Sequence, residues 1–199
     1  MKKLETAQKH YDVGKDLSWN KGDFESALTE LKKSLQIRES IWGMYHEETS
    51  KSYYEIGRVL FAQKHYTDSL VSYRKCLRIR VSLYGKFNTE TKNADHCVRL
   101  VVQAKGLYSG REINEAVDAI YNSINHEISG DTYRKAGRNA EAQLEYIKAA
   151  AIEEYFFGKS GKILGEINRK AGIKAPPPPG GRWASWRFSF LIHRFIEEM

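Results

Sequence analysis

The chain has 199 residues, 41% hydrophobic and 29% charged, a balance that excludes a disordered polymer and leaves enough apolar material for a packed core. Its net charge of +7 favours acidic partners at long range, and no uncharged apolar run of about 18 residues offers a membrane-crossing helix. The opening MKKLETAQKH has basic residues but no apolar run behind them, so a soluble, cytoplasmic chain without a secretory signal is expected.

Residues 3–20 predict a first helix, with Leu4, Ala7, Tyr11, Gly14, Leu17 and Ser18 on one face at spacings of three and four. The turn Asn20–Asp23 ends it. Residues 24–42 carry Phe24, Ala27, Leu28, Leu31, Leu35, Ile37 and Ile41, an apolar stripe wide enough for a helix packed on both sides. Asp23 is placed to cap this helix, and Gly43 to stop it in a left-handed conformation that Gly85 and Gly158 repeat further on.

The same pattern returns. Phe24, Ala27, Leu31, Ser34, Ile37, Arg38, Trp42 and Gly43 recur 42 residues later as Tyr66, Ser69, Tyr73, Cys76, Ile79, Arg80, Tyr84 and Gly85. A fixed period of this kind marks a solenoid whose units bury their apolar faces only against neighbours. Residues 48–63 are then helix A of a second unit, 66–84 its helix B, and 91–105 helix A of a third. Cys76 and Cys97, both at small-residue positions of these patterns, read as buried thiols instead of a disulfide or metal pair.

Beyond that point the period slips. A helix-B pattern begins at Ile113, 47 residues after Tyr66, which makes Tyr108–Glu112 a five-residue insertion in the turn. A further match begins at Asn139. The helix A between them is either short, over 128–136, or fused to its predecessor, and the residues leave both open. Residues 160–172 predict a last, capping helix. All four prolines stand together at Pro176–Pro179, giving a polyproline linker over 173–182. The segment 183–199 is an aromatic, amphipathic tail with Trp183, Trp186, Arg187, Phe190 and Arg194.

Gly57, Tyr66, Ser69, Tyr73 and Cys76 resemble the spacing of small and large residues in a tetratricopeptide repeat. IRESIWGMYHEETSKS and IRVSLYGKFNTETKNA are similar to the repeats of kinesin light chains, with their 42-residue period, the I-R-E-K-x-x-G ending of helix B and a loop histidine where His46 stands. The likeness covers residues 4–106 well and 107–170 loosely. It implies an all-α, right-handed superhelical solenoid of antiparallel helix pairs that acts as a non-enzymatic protein-interaction adaptor. The paired groove asparagines of kinesin light chains are Tyr11-Asp12, Tyr54-Glu55 and His96-Cys97 here, and their loop proline is Glu47. A carboxylate clamp of the chaperone-binding type is excluded, because Asp12 and Glu55 at the asparagine positions would repel a third carboxylate.

Stacking the helices A side by side places matching positions in rows. One row is Tyr11, Tyr54 and His96; the next begins with Lys15 and Arg58; further rows hold Ser18, Phe61 and Gln103, and Trp19. Alternating cations and aromatics suit a peptide segment of a partner protein with acidic and apolar side chains. The six histidines show no metal spacing, and neither a phosphate loop nor a nucleophile beside a base occurs; no cofactor, metal, small-molecule substrate or catalytic residue is expected. The competing expectation is a peripheral membrane or nucleic-acid binder driven by the basic surface and the Trp/Arg tail.

Overall fold

The computed structural model describes residues 2–106, 110–158 and 161–173; the linker and tail expected over 173–199 lie, apart from Ile173, outside the described residues. Among the described residues eight helices follow one another: α1 Lys2–Trp19, α2 Phe24–Trp42, α3 Glu47–Ala62, α4 Tyr66–Tyr84, α5 Thr89–Ala104, α6 Gly110–Lys135, α7 Asn139–Phe157 and α8 Lys162–Lys170. No strand occurs among the described residues. Turns of three or four residues join α1 to α2, α2 to α3, α3 to α4 and α4 to α5, which forces antiparallel neighbours. The fold is the expected all-α solenoid of helix pairs. It falls into two compact units, Met1–Val117 and Asp118–Met199.

Local chemistry sets the helix ends. Asp23 accepts from the Ser26 amide at 3.1 Å and caps α2 as expected. His46 Nδ1 and Asn88 Oδ1 accept from the amides of Glu48 and Glu90, so the loop histidine and its counterpart 42 residues on do the same work for α3 and α5. The glycine stops differ from expectation. Gly43, Gly85 and Gly158 have φ of 80°, 79° and 85° with ψ of 177°, 169° and 170°. That is the extended region with positive φ, which glycine alone adopts freely; the left-handed helical region would also have admitted asparagine.

In the first unit Ala27, Leu31, Ile56, Val59 and Leu60 form a buried cluster, with Tyr11, Leu17, Phe24, Leu28 and Leu35 packed against it. Cys76 is buried, and burial pushes its thiol pKa up to about 12. Cys97 is half-buried, which corrects the expectation that both thiols are enclosed; both are free. The turn insertion expected over Tyr108–Glu112 is also corrected, because Gly110, Arg111 and Glu112 are the first turn of α6, while Tyr108 and Ser109 lie outside the described residues.

In the second unit the fused alternative holds: one helix of 26 residues runs from Gly110 to Lys135, its start belonging to the first unit. Its later turns pack on α7. His126 meets the Glu145 carboxylate at 2.6 Å, and Tyr146 donates to Asp131 at 2.6 Å. Helix α8, the expected cap, buries Ile163, Leu164 and Ile167 on one face.

Candidate binding site

Two glycines bring the paired helices of the first unit together. A Cβ on Gly14 would stand 2.7 Å from Leu31 Cγ, and one on Gly57 would stand 2.9 Å from Tyr73 Cδ1. At the second of these contacts Ser69 donates to the Gly57 carbonyl at 2.8 Å. Close approach of A to B leaves the opposite side of each helix A to form a shared face.

Contacts between neighbouring A helices fix that face laterally. Arg58 on α3 donates from Nη2 to Ser18 on α1 at 2.7 Å and lays its guanidinium over the Trp19 ring, 3.9 Å from the centroid. The Cys97 thiol on α5 donates to the Tyr54 hydroxyl of α3 at 3.5 Å. Lys15 stands over the Tyr11 ring at 5.4 Å.

Behind the face lies a device that repeats. Arg38 is 1% exposed. Its Nη1 donates to the Glu48 carbonyl and to Ser52 Oγ, both at 3.0 Å, and its Nη2 donates to Gln8 at 2.9 Å and pairs with the Glu48 carboxylate at 3.1 Å. The guanidinium also covers the Tyr11 ring at 4.3 Å. Burial lowers the Arg38 pKa, and Glu48 opposes the shift. One period later Arg80 donates to the Glu90 carbonyl at 2.7 Å, pairs with its carboxylate at 3.0 Å and stands over Tyr54 at 5.1 Å. Each arginine therefore ties the aromatic of its own helix A to the start of the next.

This combination of small-residue contact, aromatic fill and repeated tie agrees with a match over residues 3–80 to the family model described as tetratricopeptide repeat. The match supports a tetratricopeptide repeat protein. It covers the first two helix pairs, α1 to α4. A search of curated proteins finds no match.

On the A-helix face of these repeats and of α5, the expected residues fall into two groups. Ser18, Trp19 and Arg58 meet one another, Lys15 stands over Tyr11, and Tyr54 meets Cys97 of α5. Phe61 is half-buried and turns to Tyr66, at 5.5 Å between ring centroids, so it fills between helices. His96 and Gln103 are exposed on α5, beside the exposed Leu100. Trp19 is 63% exposed, which removes it from the repeat core.

Burial, followed by the charge of Glu55, raises the Tyr11 hydroxyl to about 12. Burial and the Cys97 contact push Tyr54 up as well. Both hydroxyls are therefore neutral donors at physiological pH. Sequence reasoning missed Glu55 as a partner: it is buried and accepts from Arg58 Nε at 2.8 Å. Its spacing of three residues from Arg58 on one helix was the available signal. Among the described residues no cluster of three or more His, Cys, Asp and Glu side chains could hold a metal ion, and no helix is long and apolar enough to cross a membrane.

Proposed function

We infer that this chain is a protein-interaction module of the kinesin-light-chain-like tetratricopeptide subtype, a cytoplasmic adaptor whose A-helix face holds a segment of a partner protein. The subtype rests on the 42-residue period and on the two IR-x-S-x-x-G segments. The observation that carries the binding reading is Trp19. A large indole 63% exposed on a guanidinium held by Ser18 and Glu55 is a rigid anchor, and aromatic and arginine side chains dominate binding energy at protein interfaces.

The partner segment that suits this face is apolar where it meets Trp19 and Leu100 and acidic where it meets Lys15. Arg58 contributes mainly as the support of the indole, since Glu55 already offsets its charge. Selection of a displayed random-peptide library on the full chain tests the reading. Enriched peptides are expected to lose at least about 30-fold in affinity for Trp19→Ala, the usual consequence of truncating such an anchor, and a smaller factor for Lys15→Ala. Peptides that bind wild type and Trp19→Ala equally well would refute the assignment.

A further inference from the structure

The A-helix face does not account for a second exposed feature, at the end of the array where each helix B passes into the next helix A. The two inter-repeat loops, Gly43–His46 and Gly85–Asn88, share one conformation, locked at its start by a positive-φ glycine and at its end by a side-chain cap. Each loop, with the helix turn before it, presents apolar side chains, Ile41 and Tyr45 recurring one period on as Leu83 and Phe87 while Lys86 takes the place of Met44. Ile41, Met44 and Tyr45 stand in the first copy, Leu83, Tyr84 and Phe87 in the second. Phe87 is 83% exposed and the other five are between 37% and 44% exposed.

The two copies form one surface. Arg78 of α4 stacks on Tyr45 at 4.8 Å, so α4 is tied to the preceding loop. Repeat stacking explains Trp42, which lies on His46 at 4.7 Å. Beyond the Arg78 contact of Tyr45, it gives no reason for apolar side chains at the exposed positions, and water-facing patches of this size on soluble proteins are commonly functional.

We propose that this edge is a two-fold interface with a second copy of the same chain. Three observations select that occupant. At about 200 Å² for a large side chain, the exposed fractions leave on the order of 550 Å² of apolar surface. With interfaces about 60% apolar, the full patch is about 900 Å² per copy, close to the roughly 800 Å² per partner of a stable association. Around the apolar side chains Lys51 pairs with Glu47 and Glu48 at 3.0 and 2.6 Å and Glu90 pairs with Arg80, with Lys86 the exposed cation of the second loop. Most of the charge on this edge is paired, so two chains of charge +7 oppose few like charges here, and a single exposed lysine gives little attraction for nucleic acid or an anionic membrane. The pattern also suits an isologous contact. A two-fold axis between the loops sets the protruding Phe87 of each copy against the Met44–Tyr45 loop of the other, as such symmetry requires.

Sedimentation equilibrium of the full chain over 1–100 µM, about the range in which a modest self-association shows, decides the matter. Wild type is expected to move from 22.9 kDa towards twice that mass. Phe87→Ser is expected to raise the dimer Kd on the order of 30-fold, with little change in thermal midpoint because the side chain is 83% exposed in the monomer. Leu83→Ser is expected to act in the same direction, and Trp19→Ala to leave the association as it was. A wild-type chain that stays monomeric throughout overturns the proposal. So does a dimer that Phe87→Ser leaves intact, or one that Trp19→Ala dissolves.

Discussion

Adding one methyl group at Gly57 tests whether close helix approach holds the second repeat together. The new Cβ would stand 2.9 to 3.0 Å from three atoms of the Tyr73 ring, inside the distance that real side chains tolerate. The ring cannot step aside cheaply, since Tyr73 is 4% exposed and meets Tyr54 edge-on at 5.6 Å. Overpacking of this kind costs roughly 1–3 kcal/mol, and exchanging glycine for alanine inside a helix returns about 0.5–1. Gly57→Ala should therefore destabilise by about 1 kcal/mol, a fall of roughly 4 °C in midpoint. Gly165→Ala in α8, where nothing lies within 4 Å of the added atom, keeps only the propensity gain and should stabilise. Urea unfolding followed by circular dichroism measures both. Tyr73→Leu, which restores the glycine–leucine pairing of Gly14 and Leu31 in the first repeat, should couple to Gly57→Ala by more than about 0.5 kcal/mol. A Gly57→Ala chain as stable as wild type, or a double mutant with no coupling, would refute the packing argument.

Lys64 has φ of 61° at the turn position where the first and last helix pairs have Gly22 and Gly137, with φ of 67° and 75°. Lys64→Gly should raise stability by roughly 0.5–1 kcal/mol, the left-handed penalty less the added freedom of the unfolded chain, read as a higher urea midpoint. The Tyr11 hydroxyl supplies a pH signature. Its folded pKa of about 12 lies above the ordinary 10.0, so the unfolded chain ionises first. Its contribution is complete below about pH 10 and is lost as pH rises towards 12. The difference in urea midpoint between wild type and Tyr11→Phe should therefore shift against wild type over that window and be constant below it.

Helices α1 to α5 were legible because a 42-residue period repeats caps, stripes and glycine stops together. The period failed at α6 for a specific reason. One continuous helix of 26 residues stands where the sequence left a short or a fused helix open, and Gly130 inside it is a close-approach glycine: a Cβ there would stand 2.6 Å from the Tyr146 ring, as at Gly57 with Tyr73. The same residue type serves as stop and as close-approach residue, and only the partner helix distinguishes them. At the site, the rows of Tyr11, Lys15, Trp19 and Arg58 followed from helical spacing alone. The charge balance did not, because Glu55 was read as a deterrent to ligand carboxylates when its carboxylate is already engaged by Arg58. The repeated arginine at 38 and 80 was visible as a pattern, while its role needed the position of the following helix.

That role explains what the last helix pair must replace. Counting from the close-approach glycines, Glu127 stands where Tyr11 and Tyr54 stand, and counting from Leu31, Tyr73 and Tyr146, which face those glycines, Glu153 stands where Arg38 and Arg80 stand. Both glutamates are buried. The tie between helix A and the following element has thus lost its cation on helix B and acquired a carboxylate on helix A. An uncompensated buried carboxylate is costly, so the cation must come from another element. Helix α8 supplies it: Lys170 Nζ lies 3.7 Å from Glu127 and 3.3 Å from Asp131, over the Tyr146 ring at 5.6 Å. The polarity of the tie is reversed and it moves from helix B to helix A, but its logic is kept, since the helix following the pair is again fastened to that pair by an ion pair beside an aromatic ring. A nine-residue helix with three buried aliphatic side chains has little intrinsic stability. Its docking through Lys170 makes α8 a cap specific to this pair, one that the arginine-bearing repeats before it could not use.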